Sequence, residues 1–292
     1  MGMKGFKGFE KDFSCGGKQC EENTTYEEYG EGCCYKGVMH FYEDPWEVLN
    51  HYDLVDGNGN LSEFAEVEAL GQVWNDGEKR ATNKIHVGAK LGLKGFLKAC
   101  IDFTLEKTNG TNLSGYSAQI GSSGDSAQIG SSGDSAQIGS SGYSAQIGSS
   151  GYSAQIGSSG DSAKIGSSGD SAQIGSSGYY AKIGSSGNYA QIGSSGDSAK
   201  IGSSGDSAQI GSSGDYAKIN STGEDAVIMC AGRRSKAKGK KGSWITLAEW
   251  VKDEEKGRYV PICVKTERVD GEKIKEDTYY TLKNGEFSEV EE

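Results

Sequence analysis

The chain has almost no proline, no long apolar run and no apolar leader. Proline occupies only 2 of 292 positions whereas glycine occupies 46, and this imbalance argues against both collagen and a proline-rich linker. No apolar stretch reaches the length of a membrane span, and the opening "MGMKGFKGFEKDF" has no apolar signal core. We therefore expect a cytoplasmic protein that does not enter a membrane.

Positive charge is also in deficit. The chain has 30 Lys and Arg residues and 41 Asp and Glu residues, which gives a net charge of −11. This negative charge disfavours nucleic acid as a partner. The seven cysteines are odd in number and scattered. Without a signal peptide, this pattern predicts reduced thiols.

What the chain has in abundance is a nine-residue unit, X-S-A-Q-I-G-S-S-G, present in twelve near-copies from Tyr116 to about Gly223. Ala and Ile lie two positions apart, so they point to one face of a strand, and the residues before Ala and after it point to the other. The segment G-S-S-G is typical of a turn. Because one unit cannot bury its own Ala and Ile, the period predicts a β-solenoid.

The repeats also indicate how many units make one coil. From Lys164 to Lys218, lysine replaces glutamine every 18 residues. If coils of 18 residues stack at about 4.8 Å, Tyr and Asp alternate along most of each row of first positions, which separates stacked carboxylates. Two strands per coil and six or seven coils are predicted, although duplication of a longer block would give the same pattern.

The flanking segments have ordinary globular composition. Before the repeats, the patterns predict strands at 3–9 and 63–70 and helices at 44–52 and 89–107. After them, strands are predicted at 242–251, 258–269 and 277–287, with hairpin signals at Asp270-Gly271 and Asn284-Gly285. The predicted fold class is therefore mainly β. It combines a small α+β N-terminal cap domain (1–106), a two-strand-per-coil β-solenoid (107–241) and a β-rich C-terminal cap (242–292).

Four stretches of the N-terminal segment, "MKGFKGFEKDF", "GVMHFYEDPWEVLNHY", "FAEVEALG" and "ATNKIHVGAKLG", resemble a domain of unknown function. That domain is common in predicted proteins of bacteriophages, prophages and gut bacteria. The repeats, "KKGSWITLAEW" and "VDGEKIKEDTYYTLKNGEF" are similar to the downstream part of the same proteins. The resemblance covers nearly the whole chain and implies a phage or mobile-element setting, but it brings no known catalytic residue.

Three patterns suggest metal binding, and none fits well. Cys15, Cys20, Cys33 and Cys34 have poor spacing for a tetrahedral zinc site. The segment 53–66 matches the middle of a calcium loop but not its first and twelfth ligands. The repeat lacks the G-G-x-G-x-D pattern of a calcium β-roll and has Tyr or Asn at five of twelve first positions. We predict no metal and no cofactor.

Catalytic candidates are equally sparse. No nucleophile and acid can be matched to His40 or His51, for which a structural role is the default. The basic segment 233–241 alternates its charges, which suits the exposed outer face of a late strand and would block edge-to-edge association; phosphate binding is the alternative. No catalytic residue is predicted.

The hypothesis from the sequence is a non-enzymatic binding protein with a rigid repetitive surface. Its partner is expected to be a protein, as for a phage inhibitor or nucleic-acid-mimicking decoy of a host defence protein; a homodimer is also compatible. The alternative is a fibre or adhesin element of a virion or cell surface. The predicted binding residues lie on the outward rows: Tyr116, Asp134, Tyr143, Tyr152, Asp161, Asp170, Tyr179, Tyr180, Tyr189, Asp197, Asp206, Asp215 and Tyr216.

Overall fold

The repeats form a β-solenoid of about seven coils between residues 119 and 247, as seen in a computed structural model that describes residues 2–33, 37–56, 60–107 and 115–290. Each repeat contributes one four-residue strand. Each strand pairs in parallel and in register with the strand 18 residues along, as Ile120 does with Ile138 and Ile129 with Ile147. Two strands therefore make one coil, which confirms the predicted fold class.

Alternate strands belong to two sheets on opposite sides of the coil. The sheet named here the open sheet contains β10 (Gln119–Ser122), β12 (Gln137–Ser140), β14 (Gln155–Ser158), β16 (Gln173–Ser176), β18 (Gln191–Ser194), β20 (Gln209–Ser212), β22 (Val227–Cys230), β24 (Trp244–Asp253) and β25 (Arg258–Arg268). The covered sheet contains β11 (Gln128–Ser131), β13 (Gln146–Ser149), β15 (Lys164–Ser167), β17 (Lys182–Ser185), β19 (Lys200–Ser203), β21 (Lys218–Ser221), β23 (Lys236–Lys238), β26 (Tyr280–Lys283) and β27 (Glu286–Glu289).

Three residues of each repeat point into the solenoid. Ala172 and Ile174 are buried as predicted, and Ser176, the first serine of G-S-S-G, is buried beside them. The first Gly and Ser of that segment therefore belong to the strand, and the turn begins later than predicted. The reason is the alternation of side chains along a strand. Ser176 lies two residues after Ile174 and so shares its inner face, whereas Gly175 points outward.

The N-terminal residues fold around an antiparallel seven-stranded sheet in the order β4-β9-β6-β1-β5-β8-β7. The seven strands of this sheet are β1 (Met3–Phe9), β4 (Thr24–Glu27), β5 (Met39–Tyr42), β6 (Glu63–Ala69), β7 (Val73–Asp76), β8 (Lys79–Thr82) and β9 (Lys84–Lys90). A separate small hairpin is formed by β2 (Ser14–Cys15) and β3 (Lys18–Gln19). The predicted strands at 3–9 and 63–70 are present.

The two predicted helices are present but shorter. Helix α1 covers Pro45–Val48, where the Asp44 carboxylate accepts a hydrogen bond from the Trp46 N–H at 2.8 Å and Pro45 opens the first turn. Helix α2 covers Gly92–Lys107, because residues 84–90 belong to β9. The α2 side chain of Phe96 stacks on Phe64 of β6, with ring centroids 3.7 Å apart.

The N-terminal domain does not sit where a cap was expected. Its helix α2 contacts β11, β13, β15 and β17 in succession, so the domain lies along the side of the solenoid and covers one sheet. A cap at the end of the coils would have met only the first strands.

The C-terminal residues extend both solenoid sheets. β24 continues the open sheet in parallel with β22, and β25 returns antiparallel to β24. β26 pairs antiparallel with β23 and forms a hairpin with β27 through Asn284-Gly285, as predicted. Asp270-Gly271 is a turn but not a hairpin, because the strands on either side of it join different sheets.

In the basic segment 233–241, Lys236 and Lys238 lie on the outer face of a strand as expected, since Ala237 between them is buried inside, but that strand is not an exposed edge. β23 has β21 on one side and β26 on the other, and the ammonium groups of Lys236 and Lys238 lie 4.8 and 4.9 Å from the ring centroid of Tyr279. The Lys240 ammonium lies 2.7 Å from a carboxylate oxygen of Asp277. These three lysines therefore contact other residues of the same chain. Alternation of charge along the segment could not show that the strand has a neighbour on each side.

Candidate interaction surfaces

The predicted binding residues lie on two long edges of the solenoid, at the turns before each strand. The turns before the open-sheet strands form the first edge, which carries Tyr116, Asp134, Tyr152, Asp170, Tyr189 and Asp206. The turns before the covered-sheet strands form the second edge, which carries Tyr143, Asp161, Tyr179, Tyr180, Asp197, Asp215 and Tyr216. The seven tyrosines are exposed by 43% to 70%, so each edge presents aromatic side chains to solvent.

Most of the edge aspartates have a structural contact that sequence reasoning missed. The Asp161 carboxylate accepts a hydrogen bond from the Tyr179 backbone N–H of the next coil at 2.7 Å. Asp197 accepts in the same way from the Asp215 N–H at 2.8 Å. The same contact joins further pairs 18 residues apart, at Asp170, Asn188, Asp206 and Asp215. Where the first position is one of these Asp or Asn residues, its side chain therefore satisfies a turn N–H of the next coil and links the two coils.

The covered sheet shows why each strand has an outward glycine. A methyl group added to Gly148 would lie 3.2 Å from Ile101, and one added to Gly184 would lie 2.8 Å from Leu97. Gly130 lies under Leu105 and Gly166 under Leu97 in the same way, and a methyl group added to Gly202 would lie 3.4 Å from Leu61 and 3.7 Å from Leu93. The glycine row is therefore a groove in which one ridge of α2 is seated.

The length of this ridge matches the length of the glycine row beneath it. The α2 residues over the groove are four apart, which is the spacing of a helical ridge. From Leu93 to Leu105 the helix rises about 18 Å at 1.5 Å per residue. From Gly130 to Gly202 there are four coil steps, or about 19 Å at 4.8 Å each. The helix therefore runs along the solenoid axis with four ridge side chains spread over five coils, and Leu97 lies over both Gly166 and Gly184.

Lysines beside the groove fasten the N-terminal domain. The Lys164 ammonium donates a 2.9 Å hydrogen bond to the carbonyl of Trp46, and that of Lys182 donates to the carbonyl of Leu49. Both carbonyls belong to the short helix α1 and its C-cap, and that of Trp46 also accepts from the Leu49 N–H at 3.2 Å. Both Lys182 and Lys200 form ion pairs with Asp53. The 18-residue lysine period thus marks the face that the domain covers, rather than a row displayed to solvent.

A cleft of about 780 Å³ lies between the N-terminal domain and the second edge. At its floor the Glu47 carboxylate accepts a hydrogen bond from Gln146 at 2.9 Å and lies 3.9 Å from the Lys164 ammonium. Burial raises the pKa of Glu47 to about 7, and a hydrogen bond with Glu78 adds to the effect. Burial also lowers the pKa of Lys164. Because both side chains are buried between the N-terminal domain and the solenoid, the pKa shifts of Glu47 and Lys164 follow from domain packing.

The open sheet has the same repeat but nothing against it among the described residues. Its outward glycines would meet no atom within 4 Å if a methyl group were added; they are Gly121, Gly139, Gly157, Gly175, Gly193 and Gly211. A groove of about 1250 Å³ runs along them beside a row of glutamines. At its C-terminal end the exposed side chains become apolar: Val227, Met229, Trp244 and Val264 are 46% to 63% exposed.

The predicted metal and catalytic candidates have modest surroundings. The described residues contain no cluster of three or more His, Cys, Asp or Glu suited to a metal; Cys34 and residues 57–59 of the calcium-like segment lie outside the described residues. His40 Nε2 hydrogen-bonds the Cys33 carbonyl at 2.6 Å, and burial lowers the pKa of His40. The His51 ring stacks on Tyr42 with centroids 5.3 Å apart. No helix in the described part of the chain is long and apolar enough to span a membrane.

Comparison with known families and proteins identifies one part of the chain. Residues 3–99 match the model of a domain of unknown function, DUF7666. This match coincides with the seven-stranded sheet and the first half of α2. No curated protein and no solved structure matches the chain. The chain therefore carries an N-terminal DUF7666 domain, followed by a β-solenoid.

Proposed function

We propose that this is a non-enzymatic binding protein whose solenoid holds a protein partner along its tyrosine edges. The observation that carries the proposal is the exposure of Tyr143, Tyr152 and Tyr179, each above 50%. These side chains project from a solenoid whose neighbouring coils are hydrogen-bonded to one another. Tyrosine is enriched among the residues that dominate interface energies. Its large area and few rotatable bonds reduce the entropy lost on binding.

The setting we propose is a phage or other mobile element acting in the host cytoplasm, where the partner is a host defence protein. Protein contact is better supported than mimicry of phosphates. Residues 116–223 carry seven Asp but also four Lys. Several of the aspartates, such as Asp161, already accept a backbone hydrogen bond, so their carboxylates are partly engaged.

The test replaces Tyr143, Tyr152 and Tyr179 by Ser in the full chain. Binding to a partner identified by co-purification from infected cells is then measured by titration with purified components. We expect at least a tenfold loss of affinity with unchanged melting, because no inward side chain is altered. The matched control replaces Tyr29, a fully exposed tyrosine of the N-terminal domain, by Ser, and should leave the affinity unchanged. Unchanged affinity of the tyrosine variant, or recovery of the protein as a component of purified virions, would overturn the proposal.

A further inference from the structure

We propose that the glycine groove of the open sheet binds an α-helix of a partner protein, in the way the covered sheet binds α2. This surface is separate from the tyrosine edges and rests only on the broader part of the proposed function, that the solenoid binds proteins. The partner helix carries aliphatic side chains at every fourth position over at least three turns. Its flanks beside that ridge are uncharged.

The first step of the argument is that the two sheets present the same surface. Both have an outward glycine between an outward polar residue and the turn, repeated at the same coil spacing. On the covered sheet this surface seats Leu93, Leu97, Ile101 and Leu105 over five glycines. A groove that accepts a four-residue ridge on one side has the same depth and pitch on the other, because both are made by one repeat.

The second step concerns length. The six open glycines from Gly121 to Gly211 span five coil steps, about 24 Å, which corresponds to about 16 helical residues. At the next coil the glycine position is Met229, and the glutamine position becomes Val227 and then Trp244. These exposed apolar side chains end the groove and provide contacts for an apolar side chain at the end of the helix.

The third step concerns charge. On the covered sheet, lysines pair with Asp53 and with helix-end carbonyls. On the open sheet all six corresponding positions are glutamine: Gln119, Gln137, Gln155, Gln173, Gln191 and Gln209. Glutamine donates and accepts hydrogen bonds without a charge. The face therefore offers hydrogen bonds but no ion pair to the flanks of the helix, so charged flanks gain less here than beside the lysines of the covered sheet.

The probe for this inference is a fluorescein-labelled peptide with the sequence of residues 92–107, in which glutamine replaces the residues equivalent to Lys94, Lys98, Asp102 and Glu106. It is held helical by a hydrocarbon staple on the face away from its ridge. Binding to the full chain is followed by fluorescence anisotropy. The test variant has Gly157, Gly175 and Gly193 replaced by Leu, which fills the groove where an added methyl group meets nothing. We expect saturable binding to the wild type and at least a tenfold loss in this variant, with unchanged melting.

Two controls separate this proposal from the previous one. A peptide with Asp in place of the residues equivalent to Leu97 and Ile101 should not bind, since the ridge is lost. The variant with Tyr143, Tyr152 and Tyr179 replaced by Ser should bind the peptide as the wild type does. Absence of binding by the stapled peptide, or equal binding by the leucine-filled variant, would overturn the groove proposal and leave the tyrosine-edge proposal unaffected.

Discussion

Replacing Lys164 by Asp should strongly destabilise the contact between the N-terminal domain and the solenoid. The Lys164 side chain is only 6% exposed, its ammonium bonds the Trp46 carbonyl, and the Glu47 carboxylate lies 3.9 Å away. An outward position in a solenoid would ordinarily tolerate this change. Here the substitution removes a buried donor and places a carboxylate beside Glu47, with Asp44 also near.

The magnitude follows from these contacts. Removing one partner of a buried ion pair costs about 3–5 kcal/mol. The Trp46 carbonyl keeps its hydrogen bond from the Leu49 N–H, so losing the bond from Lys164 adds only about 1 kcal/mol. These terms overlap, and detachment of the domain limits the total, so we expect a loss of about 3 kcal/mol or more. Lys164→Gln should cost less, because Gln128 and Gln146 occupy the equivalent positions and hydrogen-bond Asp44 and Glu47.

The assay is urea unfolding followed by fluorescence and by circular dichroism, so that loss of domain packing and loss of strand structure are seen separately. The matched control is Gln173→Asp, at the same repeat position on the open sheet, where an exposed substitution should change stability by less than about 0.5 kcal/mol. If the Lys164 and Gln173 variants unfold alike, Lys164 does not fasten the domain and our account of the covered sheet is wrong.

Two further predictions use the same interface. Gly184→Ala should destabilise the protein by about 1–3 kcal/mol, because its methyl group meets Leu97 at 2.8 Å, whereas Gly175→Ala should be neutral or stabilising; equal melting temperatures would contradict the groove packing. Because the pKa of Glu47 is raised from 4.5 to about 7, the folded state binds its proton more tightly than the unfolded state. Its contribution to stability should therefore decline as pH rises from about 4.5 to about 7, and Glu47→Gln should flatten that part of the urea-midpoint profile; an unaltered slope would count against the shift.

The repeat by itself determined the solenoid, its 18-residue coil and its inward Ala and Ile. The physical reason is local: an invariant period of strand and turn leaves its apolar residues buried only by stacking neighbours in register. The hairpin at Asn284-Gly285 was likewise readable, since this dipeptide favours the tight turn that closes two strands. The same local logic was not enough for Asp270-Gly271, because the pairing partners of the strands on either side were set by the ends of the two solenoid sheets.

Only the tertiary structure decided which sheet is covered. The strands of β14 and β15 differ by a single residue, Gln155 against Lys164, so strand propensity and alternation are the same on both sides. Burial of Lys164 depends on Trp46, Glu47 and α2, which lie more than fifty residues away in sequence. The lysine period was the one sequence signal that the two faces differ, and its meaning became clear from the carbonyls and carboxylates that the folded N-terminal domain brings against it.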